Sequence, residues 1–374
     1  MEKKVKTPHQ GMPSLDETGK PLSFFEFWPM WAFYPPIFLY VLWLMVRYRG
    51  IFLPTVANPS FPGGGFVGES KAQILRLAVQ HIPEWTADFI ALKKPPIVSS
   101  ETELAKFKKS VLQHLDDAGL SIPLVAKPDI GCRGAGVKLL QDKKSLREYL
   151  KSFPSGEQFL LQRLADFEGE AGVFYCRHPD ECHGRIISIT LKYFPHVTGD
   201  GKSTLRELIM SDPRARKLSH LYLPRHTVHL DKVLPAGDAF KLAFAGSHSR
   251  GAIFRDGTAL VTPAMEACFD NISKRLPEFY FGRYDIRFAD FADVQAGKGF
   301  TIVEINGAGA ESTHIWDRKM SLFKAWKDLM NQYKLLFQIG KKNRERGFRT
   351  LTWSEFHSWR RREKALTTRY PNTD

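Results

Sequence analysis

The hydrophobic pattern of the chain predicts a mixture of helices and strands. Residues 281–288 alternate between polar and apolar side chains, which is the two-residue period of a strand with one buried face. Residues 300–305 form an almost continuous apolar run, which predicts a buried strand, and the small residues at 307–313 predict a turn. Helical periodicity predicts amphipathic helices at residues 102–117 and 262–276. This mixture predicts an α+β fold.

Three side chains with oxygen ligands lie on the two predicted strands. Glu304 and Asn306 are two residues apart, so a strand directs both side chains to the same face. Asp285 lies on the polar face of the preceding strand, two residues after Arg283. Because Mg²⁺ prefers oxygen ligands, the pattern predicts a magnesium site at Asp285, Glu304 and Asn306. The alternative is a pair of edge strands with solvated charges, which the apolar continuity of residues 300–305 disfavours.

A glycine-rich loop with basic residues follows the strand predicted at residues 122–126. The loop contains, in order, Lys127, Gly131, Arg133, Gly134 and Gly136. Backbone N–H groups of such a loop can wrap phosphate oxygens, and the two cations add charge, which indicates an anion site. Many hairpins are also glycine-rich, so the loop alone does not decide between the two interpretations. A second loop, at residues 244–252, includes Arg250 and is a further candidate for contact with an anion.

Residues 27–46 form an uncharged stretch that is about as long as a bilayer span. Its tryptophans and tyrosines are typical of a membrane interface, and Pro35-Pro36 is expected to break a helix. The alternatives are a straight span, a shallow or hairpin insertion from the cytoplasmic side, and a buried core helix or dimer interface. We therefore expect a flexible leader at residues 1–22 and a hydrophobic, membrane-associated segment at residues 23–50.

The formal net charge of +14 narrows the choice of partners. Residues 341–370 contain ten Lys or Arg and three Glu, a net charge of +7 that is half of the excess. A membrane surface or an anionic substrate would explain this charge, whereas nucleic acid is disfavoured because no known binding motif contains the basic residues. Trp353, Phe356 and Trp359 share one face of a predicted helix, which either lies at a membrane interface or packs on the protein itself. Four cysteines without a paired framework favour a reducing cytoplasm.

Taken in order, these segments resemble the ATP-grasp superfamily over about residues 100–335. The resemblance is carried by residues 127–137, 162–164, 283–285 and 303–307. Each segment alone is a weak signal, but the combination is specific. Within the superfamily the chain looks most like D-alanine–D-alanine ligases and the ligase domain of cyanophycin synthetases, and the latter have a turn similar to residues 197–209.

The resemblance implies an ATP-grasp fold, in which two α+β subdomains clamp ATP. It also implies a ligase that uses ATP and Mg²⁺ to convert a carboxylate into an acyl phosphate, which an amine or a thiol then captures. The implied ATP-binding residues are Lys127, Gly131, Arg133, Gly134, Gly136, Gln162, Arg163, Leu164, Glu170 and Lys192. The implied metal ligands are Asp285, Glu304 and Asn306, and the implied catalytic residues are Lys127, Arg250 and Arg283.

The resemblance also assigns individual roles. Lys127 is expected to hold the α- and β-phosphates, Gln162-Arg163-Leu164 to border the adenine, and Glu170 to reach the ribose. Arg283 is expected to stabilise the transferred phosphoryl group or the tetrahedral intermediate. The superfamily usually has a further phosphate-binding lysine before Lys127, and the short stretch after Gly119 leaves little room for it. Lys71, Lys93 and Lys94 are the candidates to replace that lysine.

The expected organisation is a linker or small subdomain at residues 51–100, an ATP-grasp domain at 101–335 and a basic helical tail at 336–374. We expect a cytoplasmic enzyme at the inner face of the cell membrane, acting on small-molecule or lipid-linked carboxylate and amine substrates, without a nucleic-acid partner. A homodimer is one alternative for its state of assembly. The competing functional hypotheses are a nucleotide-binding membrane scaffold without turnover and an ATP-grasp phosphotransferase.

Overall fold

A computed structural model describes residues 8–16, 22–97, 100–132, 134–244 and 246–371. The strands are β1 (Phe89–Lys93), β2 (Leu124–Pro128), β3 (Lys138–Leu140), β4 (Gln158–Arg163), β5 (Gly169–Cys176), β6 (Arg185–Tyr193), β7 (His196–Thr198), β8 (Ala239–Lys241), β9 (Ile253–Asp256), β10 (Phe281–Phe288) and β11 (Phe300–Asn306). The α-helices are α1 (Met30–Phe33), α2 (Pro35–Arg47), α3 (Lys71–His81), α4 (Glu101–Asp117), α5 (Lys143–Ser152), α6 (Leu205–Ser211), α7 (Ser219–Arg225), α8 (Pro263–Arg275), α9 (Phe291–Gln295), α10 (Leu322–Glu345) and α11 (Trp353–Thr367). The protein is a mixed α/β structure built on antiparallel sheets, in agreement with the predicted α+β class.

A four-stranded antiparallel sheet, in the order β1-β4-β2-β3, carries the glycine-rich loop between β2 and β3. The helices α4 and α5 pack on this sheet and share one hydrophobic core with it. Ser100 caps α4 in a capping box with Glu103, and the chain leaves the helix at Gly119, where φ is +63°. The strand β1 extends this sheet, so residues 51–100 contribute an element to the same unit.

A five-stranded antiparallel sheet, in the order β11-β10-β5-β6-β9, forms the second layer. Tyr284, Ile286 and Phe288 point from β10 into a core that α3, α8 and α9 complete. The alternate residues of β10 therefore face the other side of the sheet, as the period-two pattern predicts. On the outer edge of strand β11, the backbone N–H of Ala87 donates a hydrogen bond to the carbonyl of Ile302.

Residues 196–241 leave the second sheet and pack around a hydrophobic cluster of their own, and we call this segment the excursion. The two-stranded sheet of β7 and β8 packs with α6 and α7 around a separate hydrophobic cluster. Thr204 and Glu207 form the capping box at the start of α6 that their spacing predicts.

The hydrophobic segment at residues 27–46 is broken where Pro35 and Pro36 begin α2. Within the described ranges, no helix combines the length and the apolar character that crossing a membrane requires. One side of α2 is buried through Ile37 and Leu44, which contact hydrophobic clusters that include residues of α10. The break follows from proline, which is tolerated in the first turn of a helix but not in its interior.

Both ends of the chain pack on the protein where they are described. Residues 8–16 belong to the leader expected to be flexible, yet the hydroxyl of Tyr193 donates to the carbonyl of Pro13. In α11, the ring of Phe356 lies 5.1 Å from that of Phe52, while Trp353 remains exposed. The sequence left open whether this helix lies at a membrane interface or packs on the protein itself. Packing on the protein accounts for the position of Phe356.

The absence of a side chain at Gly340 is required for α10 to pack on residues 53–56. A Cβ at this position would collide with the backbone carbonyl of Leu53. We expect Gly340→Ala to lower the free energy of unfolding by about 1–3 kcal/mol, because the clash outweighs the gain in helix propensity. Chemical denaturation measures this change. Lys341→Ala, at the exposed neighbouring position, is the control and should stay within about 0.5 kcal/mol of the parent; equal stability of all three proteins would contradict the packing described here.

Candidate functional site

A cavity of about 960 Å³ collects most of the residues singled out in the sequence. Those that line it are Lys127, Gly131, Gly134, Gln162, Arg163, Leu164, Glu170, Lys192, Arg283, Asp285, Glu304 and Asn306. Both large sheets contribute to this set, because β2 and β4 bring the first residues and β5, β6, β10 and β11 bring the others. A site of this volume holds a ligand of the size of a large metabolite.

Three other predicted residues are placed differently. Gly136 packs instead against Pro128 and Tyr370, where a Cβ would be crowded. Arg133 lies outside the described residues. Arg250 is not among the described residues that line the cavity, and the same loop contributes His248.

Asp285 is the centre of the polar floor of the cavity. Pairing of β10 with β11 sets Asp285 opposite Glu304. The Oδ1 atom of Asp285 is 2.9 Å from the Nζ atom of Lys192 and 2.9 Å from the Nε atom of Arg283. Burial alone would raise the pKa of Asp285, but the charges of Arg283 and Lys192 outweigh burial and hold that pKa below its usual range. The carboxylate is therefore ionised at neutral pH.

Glu170 extends this floor as a second buried acid. Its Oε1 atom is 3.1 Å from the Nζ atom of Lys192, and its Oε2 atom is 2.9 Å from the Nε atom of Arg287. All three side chains are at most 10% exposed. Both oxygens of Glu170 are thus held by cations, and Lys192 links Glu170 to Asp285.

The oxygen ligands predicted for a metal are adjacent on β10 and β11. The amide Nδ2 atom of Asn306 lies 3.4 Å from the Oδ2 atom of Asp285. Two carboxylates and an amide form an oxygen-only donor set, which fits the chemistry of Mg²⁺. In the part of the chain that the structure describes, no group of three or more His, Cys, Asp or Glu side chains is arranged to hold a metal ion.

Lys127 and Lys71 form the basic side of the cavity. The Nζ atom of Lys127 donates to the carbonyl of Val303 at 3.1 Å, and burial lowers the pKa of this lysine. The Nζ atom of Lys71 donates to the carbonyl of Gly131 at 2.5 Å and lies 3.6 Å from the Oε1 atom of Glu304. Both cations therefore face the acidic strand β11 from the side of the glycine-rich loop.

Lys71 reaches the cavity because α3 begins against the glycine-rich loop. Asp129 accepts hydrogen bonds from the Ser70 hydroxyl and the Ala72 backbone N–H. Of the three candidates for the additional lysine, Lys71 is the one that lines the cavity. Lys94 instead donates to the carbonyl of Phe153 at 2.6 Å, and Lys93 is exposed on β1.

Glu69 is a polar lining residue that the sequence pattern did not identify. Its Oε2 atom is buried and has no hydrogen-bond partner among the described residues. Burial raises the pKa of Glu69 to about 7, against the opposing charge of Lys71. The only hint in the sequence was that Glu69 directly precedes Ser70 and Lys71. The hydrogen bonds that join the start of α3 to the glycine-rich loop connect residues far apart in sequence, so a local pattern does not reveal them.

The small residues after β11 pack against another glycine segment. The N–H groups of Ala308 and Gly309 donate to the carbonyls of Gly64 and Gly65, at 3.0 and 2.6 Å. A Cβ on Gly65 would lie 2.7 Å from the Cα atom of Gly307. Close backbone approach therefore explains why both segments are small, and it fixes the loop that carries Glu311.

One end of the cavity is walled by the hydrophobic N-terminal segment. The residues from this segment are Met30, Tyr34, Ile37, Phe38 and Val41. The hydroxyl of Tyr34 donates to the carboxylate of Glu311, with oxygen separations of 2.9 and 3.0 Å. The NH1 group of Arg283 donates to the carbonyl of Glu311 at 3.0 Å. The sequence did not associate this segment with the site, because nothing in its pattern indicates which surface it covers.

Neither a protein-family model nor a curated protein matches the chain. Among solved structures, it resembles a bifunctional glutathione synthetase from Pasteurella multocida at 15% identity, covering 70% of this chain and 35% of that one, with a TM-score of 0.35. It also resembles VanG D-Ala:D-Ser ligase from Enterococcus faecalis (13% identity, 71% and 61% coverage, TM-score 0.38). A third is D-alanine–D-alanine ligase from Bacillus anthracis (13% identity, 74% and 68% coverage, TM-score 0.40).

The chain thus spans about a third of the length of the first of these proteins and 61% of the second. Because the TM-scores are below 0.5, function has to be inferred from the residues of the cavity itself. The solved structures that the chain resembles are ATP-grasp ligases, the superfamily that its sequence motifs resemble.

Proposed function

We propose that the protein is an ATP-dependent carboxylate–amine ligase, with a thiol as the less favoured acceptor, that works through an acyl phosphate. One observation carries this proposal: Lys71 and Lys127 line the same cavity as Asp285, Glu304 and Asn306. Phosphoryl transfer depends mainly on positioning and on neutralising the spread negative charge of the phosphates. Cations and magnesium ligands within one cavity provide both.

ATP would lie between the two large sheets, which act as the two clamping subdomains. Its phosphates would contact Lys71, Lys127 and the backbone of the glycine-rich loop. The adenine would border Gln162-Arg163-Leu164 at the end of β4, where Gln162 is already fixed by its hydrogen bond to the carbonyl of Val303. Glu170 is the weakest of the expected contacts, since its oxygens are held by Lys192 and Arg287 rather than offered to a ribose.

The metal would be held by Asp285, Glu304 and Asn306, and it would supply charge neutralisation at the phosphates. Asp285 is ionised in the cavity, so it needs no deprotonation before it serves as a ligand. Arg283 shares Asp285 with Lys192 and also contacts the loop of Glu311. It therefore stands between the metal ligands and the opposite end of the cavity.

In the proposed reaction, a carboxylate oxygen attacks the γ-phosphorus of ATP, and ADP leaves. The amine nitrogen then attacks the acyl carbon, the bond to phosphate breaks, and the nitrogen loses a proton. Arg283 is positioned to stabilise the negative charge that develops in either step. The chain supplies no covalent nucleophile in this scheme, because the metal ligands and cations are sufficient for it.

The position of Lys71 weakens the alternative of a scaffold without turnover. The absence of an early phosphate-binding lysine favours that alternative only mildly, and Lys71 lines the cavity as a candidate to replace that lysine. An ATP-grasp phosphotransferase, which would release a phosphorylated product instead of an amide, is separated from the ligase by the mass of the product.

We further propose that the enzyme works at the inner face of the cell membrane. The helix α2 is apolar on both sides, and the side turned away from the protein exposes Leu39, Trp43 and Val46. Arg47 and Arg49 follow at its end and are exposed. An apolar helix face rich in aromatics, with basic residues beside it, is typical of a helix lying in the membrane interface.

Removal of two predicted metal ligands tests the ligase proposal. We expect Glu304→Ala combined with Asn306→Ala to lower magnesium-dependent ADP release at least about 100-fold, because the charge of the phosphates is no longer neutralised. A screen of carboxylates against amines, with product mass, measures the activity. Thr301→Ser, on the same strand but outside the cavity lining, is the matched control. Activity of the double variant equal to that of the parent would refute the proposal.

Replacement of single lysines tests which one contacts the phosphates. We expect Lys71→Met to raise the KM for ATP at least about tenfold, because it removes a cation from the phosphate side. Lys93→Met, on exposed β1, should leave the KM unchanged. Steady-state kinetics at saturating co-substrates measures both. The reverse order of effects would show that Lys71 is not the phosphate lysine.

Vesicle binding tests the membrane location. We expect Trp43→Ser combined with Val46→Ser to weaken co-sedimentation with anionic phospholipid vesicles at least about tenfold, because apolar area no longer enters the interface. Val228→Ser combined with Val233→Ser, at exposed apolar positions of the excursion, is the matched control. A parent protein that stays in the supernatant would refute the location. Dimerisation lost in the same variant would assign the surface to a homodimer instead.

A further inference from the structure

The cavity changes character beyond Arg283. Around Arg283 its lining is charged, whereas Met30, Ile37, Phe38 and Val41 make the far wall apolar. Trp316, Phe254 and Tyr333 add aromatic surface on the same side. Such a wall stabilises an apolar ligand by removing its surface from water.

The apolar wall is held in place by polar contacts to three other parts of the protein. The indole N–H of Trp326 donates to the carbonyl of Phe33 at 3.0 Å. Tyr34 donates to the carboxylate of Glu311, and buried Glu26 pairs with Arg214 at 2.6 Å. These contacts fix the segment before and at the α1–α2 break, and Leu44 of α2 packs in a hydrophobic cluster with Phe337 of α10.

The same wall continues onto the outer surface. Met30 and Phe38 line the cavity and yet are 60% and 61% exposed. The next residue after each, Trp31 and Leu39, is exposed but does not line the cavity. The apolar lining contributed by α1 and α2 is therefore accessible from the outer surface of the protein at Met30 and Phe38.

Building on the ligase function proposed above, we infer that the amine substrate is an amphiphile, a primary amine carried on a long aliphatic chain. The chain would lie against Met30, Ile37 and Phe38, and the ammonium group would pair with the carboxylate of Glu311, which takes one proton from it and so frees the nitrogen lone pair for attack. Of the two acids that line this end of the cavity, Glu26 is paired with Arg214 and His248, whereas Glu311 accepts from Tyr34 and its backbone carbonyl is held by Arg283. The attacking nitrogen is thereby brought to the side of Arg283 on which the acyl phosphate forms.

Binding of amines of increasing chain length tests the inference without turnover. Butylamine, hexylamine and octylamine are titrated into the full chain with Mg²⁺ and a non-hydrolysable ATP analogue, and calorimetry measures the Kd of each. Each methylene that becomes buried should tighten binding about threefold to fourfold. We expect octylamine to bind at least about tenfold more tightly than butylamine. Equal Kd values, or octanoate binding more tightly than octylamine, would overturn the inference.

Two matched double variants separate the cavity wall from the outer surface. Met30→Ser with Phe38→Ser removes apolar groups that line the cavity, and Trp31→Ser with Leu39→Ser removes neighbours that do not. All four positions are exposed, so folding should be retained and can be checked by circular dichroism. We expect the first variant to lose at least about tenfold in octylamine affinity and the second to change it less than twofold. Equal losses in both variants would overturn the inference.

Turnover distinguishes this inference from the ligase function itself. ADP release and product mass are measured with butylamine, with octylamine, and with vesicles containing phosphatidylethanolamine against vesicles of phosphatidylcholine alone. Octylamine or phosphatidylethanolamine as the preferred amine supports the inference, and the vesicle arm tells whether the source is a membrane lipid. Ligation at a rate that does not depend on chain length would support the ligase function and refute the amphiphilic substrate. Binding that depends on chain length, without ligation of any amine, would support an amphiphile-binding cavity and refute the ligase function.

Discussion

Five charged side chains meet, largely buried, where β5, β6 and β10 pass the floor of the cavity. Glu170 and Asp285 are the acids, and Lys192, Arg283 and Arg287 are the cations. Taking such charges out of water is costly, and each is tolerated only because its partners replace the lost solvation. Removing one member would leave a buried charge without compensation, at a cost of about 3–5 kcal/mol. The strands that hold the network are thereby fixed relative to one another, together with the metal ligands.

This network also determines how the site responds to an anionic ligand. Within the network the two acids are outnumbered by three cations, whereas Lys71 and Lys127 share their part of the cavity with Glu69 and Glu304. Lys127 has no acidic partner at hydrogen-bond distance among the described residues and rests on the carbonyl of Val303 instead. A polyphosphate with its metal would bring both signs of charge, so it would reduce the repulsion among the cations while leaving Asp285 neutralised.

Local pattern was enough to predict the parts of the site that lie on single strands. The period-two alternation of residues 281–288 predicts that Asp285 and Arg283 share a face, and the structure places both in the cavity. The sequence did not show which of Lys71, Lys93 and Lys94 reaches the cavity. That outcome depends on Asp129, which accepts a hydrogen bond at the start of α3 from a position more than 50 residues away. Glu69 was missed for the same reason. Arg250 was selected for its glycine-rich surroundings, and those surroundings do not determine which residue of a loop faces a cavity.

The hydrophobic N-terminal segment shows most clearly why periodicity alone is insufficient. A helix that is apolar all round is consistent with a membrane, a core or an interface, and the sequence left all three open. In the structure, α2 divides these roles between its sides: Leu44 packs on the protein, Leu39 faces outward, and Phe38 stands at the mouth of the cavity. An amphipathic helix has a polar face to keep in water, but α2 has none. Its composition is explained if the side turned from the protein also meets an apolar partner, which would be lipid, a second copy of the chain or the aliphatic chain of a substrate. The same residues would then both hold the enzyme at its substrate's location and lead that substrate to Arg283.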